Sequence, residues 1–108
     1  MSEEWRRLAN RTQNGWRAVG GRLTVRDRDL VFEPNAFDAL LGGRRWQSPL
    51  SGITALRRHP GEVALGNLFS GGLVDRLELT LADGSVERFV TKDIDQAIGE
   101  LTALRDAP

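Results

Sequence analysis

The run from Gly21 to Asn35, Gly-Arg-Leu-Thr-Val-Arg-Asp-Arg-Asp-Leu-Val-Phe-Glu-Pro-Asn, constrains the fold more than any other stretch of this chain. Leu23 and Val25 alternate with polar neighbours, and Leu30 and Phe32 do the same beyond the charged pair Asp27-Arg28. A period of two sends successive side chains to opposite faces of a strand, so each half of the run offers one face to a core and one to water. The run is therefore expected to be a β-hairpin with strands over 22–26 and 30–34. Pro34, which has no amide proton for a ladder, ends the second strand.

Similar patterns recur along the chain. Strands are expected over 16–19, 44–50, 53–58, 63–69, 75–81 and 85–90, with Gly20-Gly21 as a bend or bulge between the first strand and the hairpin. Leu77, Leu79 and Leu81 alternate with Arg76, Glu78 and Thr80, the cleanest case in the sequence. Asp83-Gly84 after it signals a type I′ hairpin. The faces of 85–90 disagree, which predicts a bulge there, and the inward face of 53–58 is ambiguous between Ile53/Ala55 and Thr54/Leu56. Residues 35–43 have helical character, with Asn35 as the cap and Gly42 as the stop. Ile94, Ala97, Ile98, Leu101 and Leu104 repeat at helical spacing, and Asp93 with Gln96 has the form of a capping box. The fold class that follows is mainly β, closed by a C-terminal α-helix. Residues 1–14 read as an extension or short helix, with Trp5, Leu8 and Ala9 on one face, preceding a single domain over 15–106.

The chain has 108 residues, enough for one domain to bury a core without covalent staples, and no cysteine, which excludes disulfides, thiolate metal sites and a cysteine nucleophile. The lack of cysteine fits a reducing cytoplasm. No apolar run follows the first basic residues, so no secretory leader is expected, and no stretch approaches the length needed to span a bilayer. Fifteen basic residues balance fifteen acidic ones, a poor match to a nucleic-acid partner. The balance is uneven along the chain: residues 1–29 hold seven arginines against four acids, and residues 74–108 hold four basic groups against eight acids. Two such halves can attract each other within one molecule or between two, although a solvated, unevenly charged surface is the simpler reading.

The segments Gly-Arg-Leu-Thr-Val-Arg-Asp-Arg-Asp-Leu-Val-Phe at 21–32 and Ser-Pro-Leu-Ser-Gly-Ile at 48–53, with the closing hairpin and helix, resemble a GRAM domain of the pleckstrin-homology-like superfamily. Leu23, Thr24, Leu30, Val31, Phe32, Pro49, Leu50 and Ile53 match its pattern. Arg28-Asp29 replaces the usual paired basic residues, and Ser48 stands where isoleucine is commoner. The resemblance covers 16–104. It implies a strongly bent antiparallel sandwich, or partly open barrel, of about seven strands stoppered by the last helix. It also implies a binding module for lipids, peptides or proteins.

Two sets of residues are candidates for that role. Arg17, Arg22, Arg26 and Arg28 form a possible lipid or phosphate cluster near the first strands, since guanidinium forks suit phosphate oxygens. Asp27 and Asp29 compete for them, and a solvated strand face is the simpler reading of these arginines. Trp5, Leu8, Leu40, Leu41, Trp46 and Phe69 are a possible protein-interaction set, the alternative being that they extend the core. His59, the only histidine, has no Gly-x-Ser-x-Gly partner among Ser48, Ser51 or Ser70 and reads as a surface loop residue. No catalytic residue, metal ligand or cofactor site is expected. The reading that results is a non-catalytic cytoplasmic module that docks a protein partner or itself. Peripheral binding to anionic membrane lipid is the alternative, and a small-molecule enzyme is the least supported.

Overall fold

The computed structural model describes residues 3–13, 17–61 and 75–108. Their elements are β1 (Glu3–Gln13), β2 (Arg17–Arg26), β3 (Asp29–Pro34), α1 (Ala36–Leu40), β4 (Trp46–Pro49), a 3-10 turn (Leu50–Gly52), β5 (Ile53–His59), β6 (Arg76–Leu81), β7 (Val86–Val90) and α2 (Ile94–Asp106). The strands form one antiparallel sheet in the order β4-β3-β2-β1-β7-β6-β5.

That order and the chain length together force the sheet to curl. β4 and β5 are its two edges, yet only Leu50–Gly52 separates them in sequence. A flat seven-stranded sheet would hold its edges about 29 Å apart at ~4.8 Å per strand. The four residue steps from Pro49 to Ile53 reach about 14 Å at most. The sheet therefore bends into a partly open barrel, an architecture consistent with the one expected. The corner is tied by hydrogen bonds from the Leu50 amide to the Arg28 carbonyl at 2.9 Å and from the Ala82 amide to the Gly52 carbonyl at 2.8 Å.

The concave side carries the core. Val19, Leu23 and Val25 of β2, Leu30 and Phe32 of β3, Leu77 and Leu79 of β6 and Phe89 of β7 are all fully buried. The Phe89 ring lies 5.7 Å from both Phe32 and Trp46 in tilted contacts. α2 closes the open end with Ile94, Ala97 and Leu101 buried, while Ile98 and Leu104 pack at its margin. Each large side chain so covered contributes ~1.5–3 kcal/mol before chain entropy is set against it.

Several local expectations are corrected. Residues 3–13 form an eleven-residue strand, not a helix, and that strand sits between β2 and β7 at the middle of the sheet. Trp5 and Ala9 face inward while Leu8 faces out. The inward row also includes Arg7, Arg11 and Gln13, so the strand has no apolar alternation to read. Arg11 pairs with Glu87 at 2.9 Å and Arg7 with Glu100 at 3.0 Å. The unequal charge of the two chain ends is thus partly matched within the molecule.

Gly20-Gly21 is no bend, because β2 runs straight through it in register with β1. Gly21 is needed for a different reason: a Cβ there would sit 2.2 Å from the Glu33 carbonyl oxygen and 2.9 Å from the Phe32 ring. The β6–β7 pairing shows no bulge. The bulge lies instead between Ile53 and Ala55 of β5, and it lets Ile53 and then Leu56 turn inward, which resolves the two competing faces. At the β6–β7 turn only Gly84 has positive φ, 87°. The Leu81 amide bonds the Ser85 carbonyl at 2.9 Å, a three-residue loop in place of a type I′ turn. The type I′ signature appears at Asp27 and Arg28, with φ of 52° and 67°. Asp93 precedes α2 in a left-handed conformation and makes no side-chain cap, so the capping box does not form. Asn35 does cap α1, its side chain accepting from the Asp38 amide at 2.8 Å. The strand expected over 63–69, the turn over 70–72, Trp16 and Phe69 lie outside the described residues.

Candidate functional site

Alternation divides β1, β2 and β3 into a core row and an outer row. Arg6, Leu8 and Asn10 stand outward on β1, paired with Thr24, Arg22 and Gly20 of β2. Val31 and Glu33 of β3 lie beyond Thr24 and Arg22. Thr24 and Val31 are small enough to be covered by their longer neighbours, at 5% and 6% exposure. Leu8 is not covered: it is 76% exposed, flanked by arginines.

Gly20 creates the relief of this face. Its outward position has no side chain, and Asn10, Asn35 and Asp38 converge on the space. Its amide donates to Asp38 Oδ2 at 3.1 Å, and its carbonyl accepts from the Asn35 amide at 2.9 Å. α1 is thereby moored to the middle of β2. Two adjoining clefts result. One, of about 760 Å³, runs from Leu8 and Asn10 past Gly20 to Thr91 and Lys92. The other, of about 390 Å³, lies among Leu8, Arg22, Thr24, Arg26 and Glu33. Leu8, Gly21 and Asn35 line both. These volumes suit a small ligand or a few residues of a partner. α1, which starts where the clefts meet, exposes Phe37 at 70%, Leu40 at 86% and Leu41 at 56%.

Of the four arginines singled out in the sequence, Arg22 and Arg26 are brought together at the smaller cleft, and Arg17 and Arg28 are not. Arg22 and Arg26 share the outer face of β2, two positions either side of Thr24. Arg17 has the opposite parity on the same strand. Arg28, at the β2–β3 turn, donates to the carbonyls of Leu104 and Arg105 at 3.4 and 3.2 Å. It satisfies acceptors left open at the end of α2, where a cation is also favoured by the helix dipole.

The apolar set divides as well. Trp5 and Trp46 are half-buried against the core, and the Trp5 indole donates to Glu100 at 3.0 Å. Leu8, Leu40 and Leu41 remain exposed, and Phe37 joins them. Its exposure was hidden because Phe37 shares the helical spacing of Leu40 and Leu41, which read equally well as a buried face.

A second polar constellation, on the outer face of β5, β6 and β7, escaped the sequence reading. Glu78 is only 4% exposed although its alternation points outward. Arg57 and Arg88 stand directly opposite it on the two flanking strands. Arg57 Nε donates to one carboxylate oxygen, and Arg88 Nε donates to the other at 2.9 Å. His59 Nδ1 lies 3.1 Å from the same carboxylate, with the ring 14% exposed rather than out on a loop. The Arg57 hydrogen bond, more than that of Arg88, holds the Glu78 carboxyl below the usual carboxylate range against the opposing effect of burial.

Among the described residues no cluster of histidine and carboxylate side chains is arranged to hold a metal ion, and no helix is long and apolar enough to cross a membrane. No protein-family model matches the chain, and no curated protein matches it in sequence.

Proposed function

We propose that this chain is a non-catalytic docking module of GRAM type that binds a protein partner through the outer face of β1, β2 and β3. One observation carries the reading. Of the five large apolar side chains left exposed among the described residues, Leu8, Phe37, Leu40 and Leu41 belong to this groove or to the helix moored at its end; Val86 is the fifth. Clustered exposed apolar groups with a charged rim suit a protein interface better than scattered ones. The matching segment carries an apolar side chain for Leu8 and acidic groups for Arg22, which has no ion-pair partner among the described residues. The absence of cysteine supports a cytoplasmic setting.

A photo-crosslinking residue placed at Leu8 tests this in the native host. The reading expects a discrete protein adduct that disappears with Arg22→Glu and does not form from a crosslinker at Thr102 of α2. Equal capture from both positions contradicts it. Co-sedimentation with anionic vesicles that is abolished by Arg22→Glu supports the membrane alternative instead, and light scattering that reports a dimer dissociated by Leu8→Glu makes the partner a second copy.

A further inference from the structure

We infer that the outer face of β5, β6 and β7 is a separate oxyanion site, built from Arg57, Arg76 and Arg88 and suited to a phosphate monoester. The inference does not depend on the docking groove, which lies on the other half of the sheet.

Charge is the first argument. Arg57, Glu78 and Arg88 form one row across the three strands, and His59 with Arg76 forms the next row. Among the described residues three guanidinium groups face one carboxylate on this patch, an excess of two positive charges. Other nearby acids are engaged elsewhere. Asp75 accepts from Arg58 at 2.6 Å and from the Gly61 amide at 2.7 Å, and Glu87 faces the opposite side of the sheet with Arg11.

Geometry is the second. Glu78 takes the Nε edge of Arg57 and of Arg88 through different oxygens. Their Nε–H groups are thereby occupied, while the two side chains are 61% and 42% exposed. A planar guanidinium fixed at Nε presents its remaining donors in a set direction, which lowers the ordering cost of gripping a tetrahedral anion. Glu78 is a positioning residue here; it does not touch the ligand.

Arg76 is the third. It stands two residues from Glu78 on the same face, makes no ion pair among the described residues, and has a buried Nε without a hydrogen-bond partner. An unsatisfied buried donor on a cation is costly and unusual. The terminal amino groups of Arg76, which no ion pair among the described residues engages, are left to meet an oxyanion held between Arg76 and the Arg57–Arg88 pair.

The experiment is a titration of ¹⁵N-labelled protein with inorganic phosphate and with phenyl phosphate, at ionic strength held constant with chloride. Expected are saturable shifts of the Arg57, Arg76 and Arg88 Nε–Hε signals. Affinity falls about tenfold or more in Arg76→Gln, the loss of one charge-assisted contact, and is unchanged in Arg44→Gln, an exposed arginine outside both sites. Arg76→Lys, which keeps the charge without the fork, serves if the glutamine variant does not fold, and is also weakened. Vesicles carrying a phosphomonoester headgroup form a second arm: binding that needs Arg76 there supports the same site with a lipid as its source. No saturable shift with either soluble probe together with no Arg76-dependent vesicle binding overturns the inference, as does equal weakening by Arg44→Gln.

Discussion

The indole N–H of Trp5 donates to the Glu100 carboxylate at 3.0 Å, and Arg7 Nη2 donates to the same oxygen at 3.0 Å. Two inward residues of the first strand therefore hold the middle of the last helix, 95 residues away in the chain. The guanidinium of Arg7 also lies 5.5 Å from the Trp5 ring centre, so the three groups brace one another. The stopper of the barrel is fastened to the strand that fixes the outward position of Leu8.

This fastening depends on charge, and its sign with pH follows. Hydrogen bonding from Trp5, with a smaller effect of Arg7, holds the Glu100 carboxyl below the usual carboxylate value. A carboxyl whose folded pKa is depressed adds stability above its unfolded value of about 4.3 and loses it as pH falls through the lower folded value. Glu100→Gln is therefore expected to melt below the wild type at neutral pH, with the difference shrinking as pH drops under about 4. Thermal unfolding from pH 7 to pH 2.5 checks this; a difference that stays constant with pH contradicts it.

Glu78 makes a prediction about coupling. Either arginine alone keeps one hydrogen-bonded guanidinium on the buried carboxylate, but the pair Arg57→Gln with Arg88→Gln removes both of them. The double variant is expected to lose more stability than the sum of the single losses, because an uncompensated buried charge is the dominant cost. In wild type the Glu78 carboxyl is depressed and its contribution disappears on acidification. In the double variant burial dominates and raises it, so stability recovers as pH falls. Urea unfolding of the four proteins, with a carbon NMR titration of Glu78, measures both. Additive losses would show that the arginines act independently.

Two glycines separate steric demand from helix propensity. Gly21→Ala drives a methyl into the Glu33 carbonyl, 2.2 Å from its ideal position, and is expected to cost about 2 kcal/mol or more. Gly99→Ala on α2 meets nothing within 4 Å and is expected to gain up to about 1 kcal/mol. Chemical denaturation of both variants decides; a stabilised Gly21→Ala would mean that β2 and β3 are spaced differently there.

How far the sequence could be read follows from which side chains face the core. β2, β3 and β6 carry Leu23, Val25, Leu30, Phe32, Leu77 and Leu79 inward in alternation with outward residues, and that period is plain in the sequence. α2 was plain for the same reason, through its spacing of Ile94, Ala97, Leu101 and Leu104. β1 was hidden because its inward row is Trp5, Arg7, Ala9, Arg11 and Gln13. Long polar groups there reach partners far along the chain: Glu100, Glu87 and the Gly42 carbonyl, which accepts from Gln13 at 3.1 Å. Nothing local marks such a strand. The candidate sites were harder still. Whether Leu8 or Trp5 faced out depended on reading β1 as a strand, and the Arg57–Glu78–Arg88 row exists only once three strands are placed in register. The turns invert their sequence signals: Asp27-Arg28 adopts the left-handed pair without glycine, while in Asp83-Gly84 only the glycine does so.

The placement of β1 at the centre of the sheet underlies the outward position of Leu8, the mooring of α2 and the shape of the groove. Native-state hydrogen exchange followed by NMR tests it most directly. The β1 amides that pair with β2 are expected to exchange as slowly as those of Leu23 and Val25, through global unfolding only. Exchange of those β1 amides at the rate of an unstructured peptide, with β2 still protected, would contradict the account.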